Sequence, residues 1–139
     1  MKKVLFIDGC IRGSESRTLK IADAFLDEIQ KTNEAEIERV NLNEARIEPL
    51  FEDTLQTREN ALGDWSNPVF SLATEFKRAD LIVLAAPFWE GTFPSAVHAY
   101  IENICVSGLT FELTEKGYQG LCKAKNAVFI TTRGGIYET

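Results

Sequence analysis

The chain has few of the residues that build metal centres or acid–base triads, with three cysteines and one histidine among 139 residues. Cys10, Cys105 and Cys122 are widely spaced and form no CxxC pair, which excludes zinc-ribbon and iron–sulfur signatures, so we expect no metal site. Isolated, odd-numbered cysteines are typical of reduced thiols and predict a cytoplasmic protein. His98 lies among helix residues expected to face water, so we expect a solvated side chain rather than a catalytic base.

Positive charge is also in short supply, because 15 Lys and Arg stand against 21 Asp and Glu, a net charge of −6. Nucleic-acid binding requires a basic surface, and so does binding to an anionic membrane, so we expect neither partner. No apolar segment is long enough to span a bilayer. The apolar run after Lys2 and Lys3 ends at Asp8, too early for a signal peptide.

What the chain does have is an alternation of apolar strands and amphipathic helices. The pattern predicts strands at 3–7, 36–42, 81–86 and 127–132, and helices at 18–31, 68–79 and 94–107. Such alternation is typical of a parallel sheet with right-handed crossovers, and we find no repeat or linker, so residues 1–139 are expected to form one domain.

Three details refine this prediction. The unbroken apolar run at 127–130 indicates a strand buried on both faces. Gly108 is expected to end the third helix, and residues 110–121 to form a small hairpin. Residues 43–67 show little periodicity, and we expect short helical turns there.

The first of three notable loops, residues 8–18, leads from a strand into a helix and contains Cys10, Ser16, Arg17 and Thr18. Hydroxyls and an arginine before a helix N-terminus make a site for an anion such as phosphate. The alternative is an ordinary loop with a Ser or Thr N-cap. The loop contains neither G-x-G-x-x-G nor G-K-[ST].

A second alternative for this loop is the Cys-x5-Arg loop of low-molecular-weight tyrosine phosphatases, in which a thiolate attacks phosphorus. Six residues separate Cys10 from Arg17 here, one more than that loop has. A loop that wraps tightly around one phosphate tolerates the extra residue poorly, so the phosphatase is the weaker alternative.

The second loop follows the strand at 81–86 and contains Pro87, Phe88, Trp89, Glu90 and Gly91. Adjacent aromatic residues at the end of a buried strand predict contact with a flat apolar ligand, either a flavin ring or an aromatic substrate. The alternative is that Phe88 and Trp89 pack the domain edge or a subunit interface.

The third loop follows the last predicted strand and contains Thr132, Arg133, Gly134 and Gly135. Paired glycines let backbone N–H groups approach a ligand with no side chain in the way. The alternative is a tight turn between antiparallel strands. In an open α/β sheet, all three loops would lie at the carboxyl ends of the strands, where ligands bind.

The order of motifs in residues 81–137, with A-P-F-W, then G-L-T-F-E-L-T-E-K-G-Y-Q-G-L, then K-x-A-V-F-I-T-T-R-G-G, resembles one known group. This group is the FMN-dependent NADH-azoreductases and quinone reductases, within the flavodoxin-like NAD(P)H-dependent FMN oxidoreductases. The resemblance implies a flavodoxin-like three-layer α/β sandwich with strand order 2-1-3-4-5 and FMN as cofactor. It also implies NADH or NADPH as electron donor, quinones or azo compounds as acceptors, two-electron ping-pong transfer, and a homodimer.

The family continues for another helix, a fifth strand and a last helix beyond the point that corresponds to Thr139. We therefore expect the fifth strand to be absent from this chain, the domain to be incomplete at its C-terminal end, and the natural protein to be longer.

The resemblance also assigns roles to the three loops. The first holds the phosphate and ribityl chain, the second lies along the isoalloxazine, and the third lies near its pyrimidine end, where N–H groups stabilise negative charge on the reduced ring. Glu90 stands where the family has an amide, and an ionised carboxylate can only accept a hydrogen bond. The residues implied to contact FMN are Cys10, Ser16, Arg17, Thr18, Pro87, Phe88, Trp89, Glu90, Gly91, Thr132, Arg133, Gly134 and Gly135.

No catalytic side chain is predicted, because the flavin supplies the redox chemistry. Two alternatives to an enzyme stay open. One is a flavodoxin-type electron carrier, which binds FMN but has no substrate site. The other is an inactive truncated paralogue that keeps only the fold.

Overall fold

The computed structural model describes residues 1–134, which form two sheets and a set of surrounding helices. The strands are β1 (Lys2–Asp8), β2 (Ala35–Asn41), β3 (Leu81–Ala85), β4 (Phe111–Thr114), β5 (Gly117–Gly120) and β6 (Ala127–Ile130). The helices are α1 (Arg17–Thr32), α2 (Leu42–Ala45), α3 (Glu52–Asn60), α4 (Ser71–Arg78) and α5 (Ser95–Ile104), with 3₁₀ turns at Gly13–Glu15 and Pro68–Phe70.

The main sheet is parallel, with strand order β2-β1-β3-β6 in the described residues. When only the four strands of this sheet are numbered along the chain, their order is 2-1-3-4. This order confirms the predicted flavodoxin-like α/β arrangement. Helices cover both faces. On one face α4 and α5 cover the sheet, and the contacts there include Leu5, Ile7, Val97 and Tyr100. On the other face α1 covers it, and the contacts include Val4, Phe6, Ala22 and Leu26.

The first helix begins where the sequence places its cap. The Ser16 hydroxyl oxygen accepts a hydrogen bond from the Leu19 N–H at 3.1 Å, and α1 starts at the next residue. An apolar stripe then holds the helix against β1, so the first loop is fixed at both ends.

The third helix is shorter than predicted, and Gly108 does not end it. Helix α5 stops at Ile104 because the Thr110 hydroxyl donates to the Ile104 carbonyl at 2.6 Å and accepts from the Val106 N–H at 3.0 Å. Gly108 instead has φ +86° in the turn before β4, where its N–H donates to the Phe111 carbonyl at 2.8 Å. The second helix is also divided, into a 3₁₀ turn and α4.

The segment at 43–67 is more regular than predicted, since α3 spans nine residues. None of the α3 residues is buried, so this helix lacks the apolar stripe by which a sequence pattern indicates a helix. Its anchor is Arg58, whose guanidinium donates to the carbonyls of Asn103 at 2.7 Å and Cys105 at 3.3 Å. These groups lie at the C-terminal end of α5, where a cation is favourable.

The last strand was expected to be buried on both faces, and this prediction is wrong for the described residues. Ala127 and Phe129 are exposed, and Phe129 keeps 45% of its surface accessible. Within residues 1–134, β6 pairs only with β3. The predicted hairpin is confirmed as β4 and β5, which pair antiparallel. Among the described helices, none has the length and apolar character needed to cross a membrane.

Candidate functional site

The loops after β1, β3 and β6 converge at the carboxyl edge of the sheet and enclose a cavity of about 370 Å³. This size falls within the range of about 300–1,000 Å³ found for small-molecule sites. The lining combines residues from all three loops: Arg12, Ser16, Arg17, Thr18, Pro87, Phe88, Trp89, Thr132, Arg133 and Gly134. Most of the residues predicted from the sequence are therefore brought together. Gly135 lies outside the described residues.

Hydrogen bonds join the three loops into one unit. The Ala86 N–H donates to the Ile130 carbonyl at 3.1 Å, and the Phe88 N–H donates to the Thr132 carbonyl at 2.9 Å, which extends the pairing of β3 with β6. The hydroxyls of Thr18 and Thr132 are 2.8 Å apart, which links the first loop to the third across 114 positions of sequence.

This threonine pair gives a test of loop coupling. We expect Thr18→Val and Thr132→Val each to lower the free energy of unfolding, because each leaves one hydroxyl without its partner in a part-buried site. The double variant should lose less stability than the sum of the two single losses. The difference, a coupling free energy of about 0.5–1.5 kcal/mol, is measured by urea unfolding. Strict additivity of the two losses would show that the hydroxyls do not interact in solution.

Cys10 is the clearest departure from the predicted site, because its side chain does not line the cavity. The thiol is 1% exposed and donates to the Ala85 carbonyl at 3.7 Å, while its backbone N–H donates to Asp8 Oδ1 at 2.9 Å. Burial raises the pKa of the Cys10 thiol to about 12. The thiol therefore stays protonated at neutral pH, which argues against the phosphatase alternative.

Glu90 and Gly91 also lie away from this cavity, in a two-residue turn. Reciprocal backbone bonds of 2.8 and 2.9 Å join Trp89 and Thr92, and the two central residues have φ of +51° and +83°. Both values are positive, as a type I′ turn requires. Gly91 adopts a positive φ without strain because it has no Cβ. Glu90 also adopts a positive φ, and its side chain makes that conformation strained.

We therefore expect Glu90→Asn to stabilise the protein, because asparagine tolerates the left-handed region far better than glutamate. The gain should be about 0.5–1 kcal/mol in urea unfolding. Glu90→Gln is the matched control, since it removes the charge but keeps the unfavourable backbone. An equal gain in both variants would assign the effect to charge and contradict the turn argument.

A second cavity, of about 720 Å³, adjoins the first and shares Phe88 and Trp89 with it. Its walls are largely apolar and include Ile11 and Phe93. His98 stands at this cavity, exposed to solvent as expected, with Nε2 3.0 Å from the Thr92 hydroxyl. The Trp89 side chain is 39% exposed and borders both cavities.

Two contributors to the site were missed by the sequence reasoning. Arg12 lines the first cavity. Its position in the loop between the first predicted strand and the first predicted helix could have suggested a second cation there. Asn43 lies in the segment without a readable pattern, and its Nδ2 donates to the carbonyls of Ile11 at 3.1 Å and Cys10 at 3.5 Å. Asn43 therefore holds the first loop from the side of α2.

The chemistry of the first cavity fits FMN, which has an anionic phosphate and a flat aromatic ring. Three arginines and no carboxylate are found among its described lining residues. In residues 1–134, Arg12 and Arg17 form no salt bridge, so their charge is available for a ligand. Phe88 and Trp89 supply aromatic surface. Within the same residues no His, Cys, Asp or Glu cluster could hold a metal ion.

Among curated proteins, the chain is 42% identical over 142 residues to FMN-dependent NADH:quinone oxidoreductase 2 of Clostridium acetobutylicum, covering 99% of this chain and 70% of that one. It is 37% identical over 145 residues to the FMN-dependent NADH:quinone oxidoreductase of Coprothermobacter proteolyticus, covering 100% of this chain and 71% of that one.

Two solved structures share its fold. Azoreductase AzrA superposes with a TM-score of 0.85 at 23% identity, covering 97% of this chain and 70% of that one. An FMN-dependent NADH-azoreductase from Bacillus anthracis in complex with FMN superposes with a TM-score of 0.80 at 24% identity, covering 99% of this chain and 71% of that one. The family model for the flavodoxin-like fold matches residues 2–139. The strand order, the three-loop edge and these likenesses agree, and the chain belongs to the flavodoxin-like fold family.

Proposed function

We propose that this protein is an FMN-dependent NAD(P)H oxidoreductase that reduces quinones, azo compounds or similar acceptors. The observation that carries the proposal is the three-loop cavity, which combines Arg12 and Arg17, neither of them in a salt bridge within residues 1–134, with an aromatic wall. Relatives named FMN-dependent NADH:quinone oxidoreductase support both the cofactor and the acceptor class. Bound FMN supplies the two-electron chemistry, and the protein supplies binding, orientation and charge.

The first loop is the phosphate end of the proposed site. Arg12 and Arg17 provide positive charge, and the N-terminus of the sixteen-residue α1 adds the positive end of its dipole. The Ser16 hydroxyl oxygen accepts the capping bond, so its proton can be donated either to the neighbouring Cys10 sulfur or to an anion. Thr18 acts here through Thr132, which fixes the third loop.

The second and third loops form the ring end. Phe88 and Trp89 border the isoalloxazine, and the backbone of Phe88 is held in place by Thr132. Gly134 lines the cavity, so its backbone can approach the ring without a side chain between them. Donors at this end stabilise negative charge as it develops on the ring. The contact predicted for Gly135 stays a prediction.

The second cavity supports an enzyme rather than an electron carrier. It gives a flat acceptor an apolar surface beside Phe88 and Trp89, and its volume of about 720 Å³ exceeds that of the first cavity. The net charge of −6 would suit a carrier that docks to a basic partner, so that alternative has one observation in its favour.

We further propose that the protein works as a homodimer in the cytoplasm. Large apolar side chains are exposed on the hairpin, where Leu113 pairs with Tyr118 and the two are 67% and 76% accessible. Exposed apolar surface of this kind supports a subunit interface. Sedimentation at equilibrium should give twice the chain mass, and a monomer at micromolar concentration would contradict the dimer.

The proposed cytoplasmic location is a separate point. Three free cysteines support a reducing compartment.

The test of function is steady-state reduction of a neutral quinone by NADH, with FMN-loaded protein. We expect parallel lines in double-reciprocal plots, since each substrate reacts with a different state of the enzyme in a ping-pong cycle. Reductive titration should proceed in one two-electron step. Absence of NADH oxidation, together with a stable one-electron-reduced flavin, would favour the carrier.

A further inference from the structure

A buried carboxylate lies at the base of the loop that is proposed to bind phosphate. Asp8 is the last residue of β1 and is 3% exposed. Its Oδ1 accepts the backbone N–H of Cys10 at 2.9 Å, so the negative charge is held against the start of the first loop. A buried anion in this position would repel an anionic ligand, because a low-dielectric surrounding screens charge poorly.

Arg39 provides the compensating charge from a different strand. Its Nε donates to Asp8 Oδ2 at 3.1 Å, and its Nη2 donates to the same oxygen. The guanidinium carbon lies 5.8 Å from the centre of the Phe6 ring, which holds the side chain over the sheet. The hydrogen bond to Asp8 raises the pKa of Arg39 above its usual range, so the guanidinium keeps its charge.

Arg39 is separate from the residues that meet the ligand. It belongs to β2 and does not line the three-loop cavity, whereas Arg12 and Arg17 do. The salt bridge to Asp8 is the contact that links Arg39 to the loop, while Asp23 and Glu44 are further carboxylates whose charges act on the guanidinium. The loop itself has further support, because Asn43 holds the carbonyls of Cys10 and Ile11.

We propose that Arg39 is a positioning residue that neutralises Asp8, and that this neutralisation lets the site prefer a phosphorylated flavin over the same flavin without its phosphate. The inference rests on the proposed function, because it takes FMN as the ligand. It names a determinant of cofactor choice outside the cavity. The phosphate is the anionic group of FMN and riboflavin lacks it, so binding of riboflavin serves as the internal control.

The experiment measures FMN and riboflavin binding by flavin fluorescence, at mildly alkaline pH, in four forms of the full chain. These are the unmodified protein, Arg39→Met, Asp8→Asn and the double variant. Arg39→Met should weaken FMN binding about tenfold and leave riboflavin binding within about twofold. Asp8→Asn should bind FMN as well as the unmodified protein or more tightly, since the amide oxygen still accepts the Cys10 N–H.

The double variant separates charge from structure. It should recover FMN affinity to within about threefold of the unmodified protein, because both charges are gone. Arg78→Met is the control for loss of an arginine on the protein surface away from this site, and it should change neither affinity. An equal loss for FMN and riboflavin in Arg39→Met, or no recovery in the double variant, would overturn the inference. Failure of the unmodified protein to bind either flavin would overturn the proposed function as well.

Discussion

Gly9→Ala is expected to lower the free energy of unfolding by about 1–3 kcal/mol, because the added methyl group has no room. A Cβ at Gly9 would lie 2.6 Å from Val97 Cγ2, 3.1 Å from the Ala85 carbonyl oxygen and 3.1 Å from Ala86 Cβ. Val97 is fully buried and β-branched, so its side chain cannot turn away. The first loop approaches α5 closely at this point, and only glycine permits that approach.

Urea unfolding measures the loss, with Gly120→Ala as the matched control. No heavy atom lies within 4 Å of a Cβ built at Gly120, so that variant should unfold within about 0.5 kcal/mol of the unmodified protein. We also expect Gly9→Ala to weaken FMN binding, since the strain falls at the start of the phosphate loop. Equal stability of the two alanine variants would contradict the close packing of the first loop on α5.

Trp89→Ala is expected to weaken FMN binding by about 1–3 kcal/mol, or about fivefold to 150-fold, if the indole packs against the isoalloxazine. The side chain borders both cavities and is 39% exposed without a ligand, so a bound ring would bury much of its remaining surface. Trp89→Phe should lose much less, because an aromatic face remains.

Titration of FMN fluorescence in the three proteins gives these affinities, and sedimentation shows whether each variant keeps its oligomeric state. The residue has a competing assignment as part of a subunit interface. Unchanged FMN affinity in Trp89→Ala, combined with loss of the dimer, would place Trp89 at the interface and remove it from the cofactor site.

The sheet could be predicted from the sequence because its strands are marked by composition alone. Residues Val4–Ile7 and the apolar run in β3 are buried by neighbours on both faces, and such strands contain little else but apolar side chains. The same rule fails for β6. Phe129 has the composition of a buried residue but is half exposed in the described structure, where β6 has one neighbouring strand.

The site could be predicted only as a set of loops, because the contacts that shape it are long-range or depend on which face a side chain takes. The bond between Thr18 and Thr132 joins residues that no local pattern relates. Cys10 was grouped with the phosphate loop by position, yet its side chain points into the core beside Ala85. Glu90 was expected at the ring, but the turn geometry of Glu90 and Gly91 turns both residues away from the first cavity.

Polar segments resist prediction for a different reason. Helix α3 buries no side chain, and its position depends on Arg58 reaching carbonyl groups of α5. The pairing of Asp8 with Arg39 also depends on two strands lying side by side, which the strand order alone reveals.

The central claim is that the three loops bind one FMN per subunit, and an equilibrium titration of FMN fluorescence tests it most directly. We predict saturable quenching at micromolar FMN with a stoichiometry of one, and weaker binding of riboflavin because the arginines at the phosphate end then have no partner. Absence of quenching by the unmodified protein, or equal affinity for FMN and riboflavin, would contradict the account.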